Sequence, residues 1–248
     1  IGTREAILNA TREGVKAAWE YAVKHAQICQ FTIGDGADDR FAQQLIKRLG
    51  MRDAVSIETK RHTASGDVKR VTEEMPVVQS KLVMGFAIGT TPEERLAAKL
   101  MSVVLGGTPS SKLFMNVREK QSLCYYCAAS YTSLTGALCV DSGVEHANAA
   151  AARESILKEL AALCAGPVED GELADAKRAL KNQLAAVGDT LQGLEGWYFA
   201  ERMRGADKAP EQVAAEVDAV TADDVRRVLS RFRLSVCYTL TKEAGADA

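Results

Sequence analysis

The sequence predicts an α+β fold, in which helices pack on one face of an open, mostly antiparallel sheet. Strand-like and helix-like runs follow the order strand, helix, two strands, two helices, two strands, several helices and a last strand. Two of the strands are separated only by Thr135 and Gly136, a connection typical of an antiparallel hairpin. Hairpins within such a mixed order favour α+β over a doubly wound parallel sheet.

The first predicted elements precede residue 50. A helix is expected over residues 11–26, followed by a buried strand over residues 27–35. Apolar residues then recur at helical spacing from Phe41 to Leu49, and Gly50 stops that helix.

Two further strands are predicted over residues 67–74 and 79–89, with Pro76 between them. A helix should begin at the sequence TPEE, residues 91–94. There Thr91 has the position of an N-cap and Glu94 that of the acidic residue of a capping box.

A second helix is predicted after the break at GGTP, residues 106–109, with a serine at position 110 or 111 as its cap. It should end near residues 118–121. The two hairpin strands follow over residues 124–134 and 137–145.

The remainder of the chain is mostly helical by its apolar periodicity. The predicted elements are a helix ended by Gly166, helices over residues 170–187, 188–204 and 210–220, a helix that begins at Thr221, and a final strand over residues 234–240. Residues 241–248 are expected to form a frayed tail.

Charge and hydropathy exclude two classes of partner. The chain has 248 residues with 31 Lys and Arg against 33 Asp and Glu, a formal charge of -2, and no segment concentrates one sign. Binding to nucleic acid or to an anionic membrane surface is therefore not expected. The longest apolar stretch, residues 82–88, is far shorter than the roughly 18–20 residues that span a bilayer.

Six cysteines are spread over the whole length, as in a cytoplasmic protein whose thiols are reduced, and most are expected to be small core residues. Cys124 and Cys127 form a CxxC motif that could act in redox chemistry or in half a zinc site. If the strand begins at residue 124, alternation puts the two thiols on opposite faces and disfavours both functions.

The usual catalytic motifs are mostly absent from the sequence. GxSxG, the Walker loop, GxGxxG, HExxH and HxxEH are all absent, and none of the three histidines lies four residues from another. We therefore predict that the chain has neither a catalytic residue nor a zinc ligand of its own.

One segment, residues 105–126, has glycines, serines, charged residues and aromatic residues close together and remains to be explained. Arg118 and Lys120 gather near the predicted end of its helix, where cations are favoured by the helix dipole, and Tyr125 enters the next strand. The simplest explanation is structural: solvated charges at a helix end and an aromatic residue in a strand.

The same segment resembles the second half-domain of the pitrilysin, insulin-degrading enzyme and mitochondrial processing peptidase family of zinc peptidases. The matching residues are the glycine pair 106–107, SSKLF at 110–114, VREK at 117–120 and LCYY at 123–126. The sequence of this motif is most similar to that of zinc-less bacterial members of the family.

The resemblance implies a fold and a function. In this family two homologous half-domains close around a peptide. The first carries HxxEH and zinc, and the second lends an Arg and a Tyr to the substrate. Arg118 and Tyr125 occupy the matching positions and are the expected substrate-binding residues. Residues 1–26 would then be a helical lead-in from an upstream half, and residues 27–240 one half-domain.

Two functions follow from the resemblance, and a third from the cysteines. The chain would be the non-metal, substrate-binding half of a zinc metalloendopeptidase, or the same half of a zinc-less paralogue that pairs with an active subunit. In both cases it is expected to be inactive alone, with zinc only in the absent half or in a partner. The distant alternative is a CxxC thiol redox protein.

Overall fold

The computed structural model describes residues 2–35, 38–50 and 66–243. The chain divides into two compact units, Ile1–Glu58 and Thr59–Ala248. The domain boundary expected at residues 26 and 27 stays a prediction.

The described part of the first unit is helical. It contains α1 (Arg4–Leu8), α2 (Arg12–His25) and α3 (Arg40–Leu49). Thr11 caps α2, since its Oγ1 accepts a hydrogen bond from Gly14 N at 3.1 Å. The predicted helices at 11–26 and 41–49 are confirmed.

The strand predicted over residues 27–35 is wrong. Residues 27–33 form no strand, and all five strands of the described sheet lie between residues 69 and 242. A run rich in β-favouring residues becomes a strand only where another strand completes its hydrogen-bonding ladder, and the described sheet does not include this run.

The second unit is built on a five-stranded sheet with the order β1-β5-β2-β4-β3. The strands are β1 (Lys69–Met75), β2 (Ser80–Ala87), β3 (Tyr126–Thr132), β4 (Ala137–Val144) and β5 (Arg233–Lys242). Only the outer pair β1 and β5 is parallel, and the other three pairings are antiparallel. The predicted fold class is confirmed.

The hairpin and the end of the sheet follow the predictions closely. Gly136 has a φ of +67° in the β3–β4 turn, a conformation that glycine adopts without strain. β5 extends through Lys242, so the first two residues of the predicted frayed tail belong to the sheet. Residues 244–248 lie outside the described part of the chain.

One face of the sheet is covered by helices. Alternate residues of the central strand β2, among them Leu82 and Met84, are fully buried, while Lys81 and Val83 between them are half-buried. Six helices follow β2 in the chain: α4 (Arg95–Gly106), α5 (Ala149–Ala165), α6 (Asp170–Ala185), α7 (Leu191–Met203), α8 (Pro210–Val217) and α9 (Ala222–Leu229). α4 packs against β3, α5 packs against β2, and α6, α8 and α9 extend this layer.

The start of α4 differs from the prediction. Thr91 N donates a hydrogen bond to Glu94 Oε2 at 3.0 Å, as in half of a capping box, but the helix begins only at Arg95. The same carboxylate oxygen accepts a hydrogen bond from Arg231 Nη2 at 2.6 Å. Glu94 thus joins the turn before α4 to the chain after α9 and is not itself part of the helix.

Among the described residues, none of the helices combines the length and the apolar composition that a bilayer span requires.

Candidate functional site

Arg118 lies in a π-helical segment, Phe114–Glu119, where an ordinary α-helix was predicted. Lys120 N donates to Met115 O at 3.0 Å, the i→i+5 bond that defines this geometry. Each added residue rotates the following side chains by about 100° around a helix, so the wider turn changes the direction in which later side chains point. π-turns are rare and occur frequently at functional sites.

The segment ends in a second unusual conformation. Ser122 has a φ of +51°, the left-handed region that residues other than glycine seldom adopt. Ser122 N donates to Arg118 O at 3.0 Å, and Leu123 N donates to Val117 O at 3.2 Å. These bonds hold the backbone of Arg118 on one side of a tight turn and lead the chain directly into β3.

The Arg118 side chain is half-exposed and supported from two sides. Its guanidinium carbon lies 4.5 Å from the centre of the Phe114 ring, a cation–π contact. Its Nη1 lies 3.3 Å from Glu119 Oε1. Phe114 and Glu119 therefore fix the guanidinium and leave several of its N–H groups available at the surface.

Tyr125 lies just before β3 and is tied to β4. Its backbone N–H donates to Gly143 O at 2.8 Å, and its hydroxyl donates to Glu145 Oε1 at 3.1 Å. The hydrogen bond and the negative charge of Glu145 raise the pKa of Tyr125 above its ordinary value. The hydroxyl therefore stays protonated at neutral pH and can act as a hydrogen-bond donor.

The two residues predicted for substrate binding line one open cavity of about 370 Å³, which we call the Arg118 cavity. The other lining residues are Glu119, Ser122, Leu123, Cys124, Glu145 and Asn148. No local pattern indicates a role for Glu145, because its position beside Tyr125 depends on the pairing of β4 with β3. The cavity offers the free N–H groups of Arg118 to a ligand rich in carbonyl oxygens, and the Tyr125 hydroxyl becomes available when its bond to Glu145 is broken.

Cys124 also faces this cavity, and the predicted geometry of the CxxC motif is wrong. β3 begins at Tyr126, so strand alternation does not extend back to Cys124, and the thiol of Cys124 interacts with that of Cys127. This interaction, the Ser142 hydroxyl and the charge of Arg118 lower the pKa of Cys124 to about 7. The pKa of Cys127 is raised by its interaction with Cys124 and by burial.

The expectation that most cysteines lie in the core is wrong as well. Only Cys127 and Cys237 are buried, and Cys29 and Cys164 are exposed. Cys29 falls in the run that forms no strand. Cys164 lies near the end of α5, where its Sγ is 3.6 Å from Leu229 O.

Zinc, the metal implied by the family resemblance, does not fit the described residues. No three His, Cys, Asp or Glu side chains in that part of the chain are grouped so that they could hold a metal ion. His146, two residues after the end of β4, instead has its Nδ1 2.8 Å from Ser80 Oγ. No step of a reaction can be assigned to zinc held by these residues.

Comparison with known proteins relates the chain to one group of peptidases. Residues 11–180 match the model of the peptidase M16 inactive domain. The chain is 28% identical over 246 residues to the probable inactive metalloprotease YmfF of Bacillus subtilis strain 168, covering 96% of this chain and 57% of that protein. It is 24% identical over 198 residues to the uncharacterized zinc protease YmxG of the same organism, covering 78% of this chain and 48% of YmxG.

A solved structure shows the same fold. The crystal structure of a conserved protein from Enterococcus faecalis V583 superposes with a TM-score of 0.85 at 26% identity, over 99% of this chain and 59% of that one. The chain thus spans about half the length of the curated relatives it matches. It is a non-catalytic half-domain, and it belongs to the peptidase M16 inactive-domain family.

Proposed function

We propose that this chain is the substrate-binding half of a zinc metalloendopeptidase and that Arg118 and Tyr125 hold the peptide while an HxxEH half carries out hydrolysis. The observation that carries the proposal is the Arg118 cavity. Arg118 of the π-helical segment and Tyr125 just before β3, two residues whose side chains can donate hydrogen bonds, line the same open space. A peptide backbone presents the carbonyl oxygens that such donors bind.

The chemistry of each residue suits this function. The guanidinium has five N–H donors in a rigid plane and stays charged, so it can hold peptide carbonyls in a fixed direction. A protonated Tyr hydroxyl can stabilise a carbonyl oxygen as negative charge develops on it. Loss of one such donor in an active enzyme costs on the order of 3 kcal/mol of transition-state stabilisation.

The partner we propose is a homologous half-domain in the same polypeptide as this chain. Its zinc, bound by HxxEH, would supply the Lewis acid and the activated water that peptide hydrolysis needs. The length of the relatives supports this arrangement, because the chain spans 57% of YmfF and 48% of YmxG. The cysteine content supports a reducing, cytoplasmic compartment.

A second candidate is the same half-domain of a paralogue without zinc, which binds peptide or supports an active subunit. The similarity to YmfF, described as a probable inactive metalloprotease, extends over 96% of the chain and favours it. Purification of the protein with its natural partners, followed by measurement of zinc per complex, separates the two candidates. Zinc on the polypeptide that contains this chain supports the first candidate, and zinc only on a separate subunit supports the second.

Peptide binding by the chain tests what both candidates share. The probe is fluorescein-labelled, reduced and carboxymethylated α-lactalbumin, an unfolded polypeptide, and the readout is fluorescence anisotropy. We expect Arg118→Ala to weaken binding about tenfold, the effect of losing hydrogen bonds of a charged group worth about 1.5 kcal/mol. The matched control is Arg202→Ala, which removes an exposed arginine of α7 outside the cavity.

Two results would contradict the proposal. One is unchanged affinity of the Arg118→Ala variant. The other is an equal loss in the Arg202→Ala variant, which would mean that binding depends on positive charge in general and not on the Arg118 cavity.

A further inference from the structure

A second cavity lies at the opposite end of β3. It has a volume of about 300 Å³ and lies among α4, α6 and α7, and we call it the Lys99 cavity. Tyr131, near the end of β3, contributes to its lining. Tyr131 lies six residue steps after Tyr125 in extended chain, so the two cavities are about 20 Å apart.

The Lys99 cavity is lined by positive side chains. Arg95, Lys99 and Arg204 line it, and no Asp or Glu is among the described residues that do. Arg95 Nη1 donates to Glu201 Oε1 at 3.0 Å, and Arg204 Nη2 pairs with the same oxygen. Because Glu201 is the one carboxylate in this group of contacts, the positive charges exceed the negative by two.

Lys99 has no counter-ion among the described residues. In the described part of the chain, nothing pairs with or hydrogen-bonds to its ammonium. Burial lowers the pKa of Lys99, because partial removal from water disfavours the charged form. A half-buried cation that lines a cavity without a partner is complementary to an anionic ligand.

The remaining lining is apolar. Leu180 and Leu184 of α6 and Trp197 of α7 line the same space. The indole N–H of Trp197 already donates to Lys208 O at 2.8 Å, so Trp197 has only its apolar ring to offer a ligand. The cavity thus combines one unpaired ammonium with an apolar surface, the usual composition of a small-molecule site.

We propose that the Lys99 cavity binds a carboxylate on a compact apolar body, with Lys99 as the counter-ion and the leucines and Trp197 around the apolar part. A volume near 300 Å³ is at the lower limit for ligand sites, so the ligand is small. A free aliphatic acid and the C-terminal residue of an apolar peptide share this chemistry. The proposal is independent of peptide binding by Arg118 and Tyr125.

Fluorescence of Trp197 provides a direct assay. The chain has two tryptophans, so Trp19→Phe leaves Trp197 as the only reporter in the full chain. The probes are sodium octanoate for a free acid and N-acetyl-leucine for a peptide terminus, and octanol and N-acetyl-leucinamide are their neutral counterparts. We expect at least one acid to bind at least tenfold more tightly than its neutral counterpart.

Substitution of Lys99 then tests whether its charge is what binds the acid. Lys99→Met should weaken binding of the acid at least tenfold, and Lys99→Arg should largely restore it. Lys158→Met removes the same charge from an exposed position on α5 and should leave binding unchanged. If Lys99→Met fails to fold, the comparison of acid with neutral probe on the otherwise unaltered chain still decides the question.

The outcomes separate as follows. Binding of octanoate alone supports the proposal with a free acid as ligand, and binding of N-acetyl-leucine supports it with a peptide terminus. The proposal is overturned if neither acid binds, if the neutral probes bind equally well, or if a folded Lys99→Met variant binds with unchanged affinity.

Discussion

Replacing Glu201 with Gln tests the charge cluster that joins α4 to α7. Glu201 is the only charged residue among the largest fully buried side chains of the described structure, with 0% exposure. One carboxylate oxygen accepts hydrogen bonds from Arg95 and Arg204, and the other accepts one from Lys208 N at 3.2 Å. Glutamine has nearly the same shape, so the substitution removes the charge with little change in volume.

The magnitude follows from burial. The side chains of Arg95 and Arg204 are only 20% and 18% exposed, so both cations would lose their counter-ion in a largely desolvated place. Removal of one partner of a buried ion pair costs about 3–5 kcal/mol. The amide oxygen still accepts a hydrogen bond, so we expect a loss near the lower limit, about 3 kcal/mol.

The pH dependence has a defined sign. Burial alone would raise the pKa of Glu201, but the hydrogen bonds and charges of Arg204 and Arg95 outweigh it and hold the pKa below its ordinary value. Stability from this group is therefore fully present above the unfolded pKa of about 4.3 and is lost as the pH falls through the lower folded value. The Glu201→Gln variant should lack this part of the acid sensitivity.

Urea unfolding at pH 7, followed by circular dichroism, measures the effect. With an m-value of about 3 kcal/mol per molar urea, the midpoint should fall by about 1 M. Glu195→Gln is the matched control, because Glu195 is exposed on the same helix. A loss below about 1 kcal/mol for Glu201→Gln, or an equal loss for the control, would refute the reasoning.

Two further predictions concern the neighbourhood of β3. Because the pKa of Cys124 is about 7, the rate of its alkylation by iodoacetamide should reach half its maximum near pH 7, as measured by peptide mass spectrometry. Cys127→Ala should move this midpoint upward. A midpoint near 8.5 in the unaltered chain would contradict the thiol contact. Gly106→Ala should lower the free energy of unfolding by about 1–3 kcal/mol, as measured in urea. The added Cβ would lie 2.6 Å from Ala129 N and would separate α4 from β3. Unchanged stability would show that the two elements do not pack so closely.

Sequence patterns predicted the parts of the fold that depend on local periodicity. Strand β2 alternates along its length, and Thr135-Gly136 forms the turn that was expected. The run at residues 27–35 has the same β-favouring composition as β2, but composition does not reveal whether a partner strand is present. The π-helical turn was missed because its apolar residues also fit an α-helical stripe.

The same difference between local patterns and long-range contacts applies to the candidate sites. Arg118 and Tyr125 could be singled out because they occupy the matching positions of the motif that resembles the peptidase family, and the structure places both on one cavity. Arg95 and Glu201 are 106 residues apart, and no local pattern indicates that they pair. The Lys99 cavity depends on such long-range contacts, so it could be found only from the structure.

Arg118 and Tyr125 differ in what they can offer a peptide. Each is already bonded to a carboxylate of the chain, at 3.3 Å for Glu119 and 3.1 Å for Glu145. A guanidinium has five N–H donors, so its contact with Glu119 leaves others for peptide carbonyls. The Tyr hydroxyl has a single proton and donates it to Glu145, so it reaches a substrate oxygen only when Glu145 is displaced. In the proposed function, peptide binding by this chain alone therefore depends on Arg118, and Tyr125 contributes only when a facing half-domain or the substrate itself displaces that carboxylate.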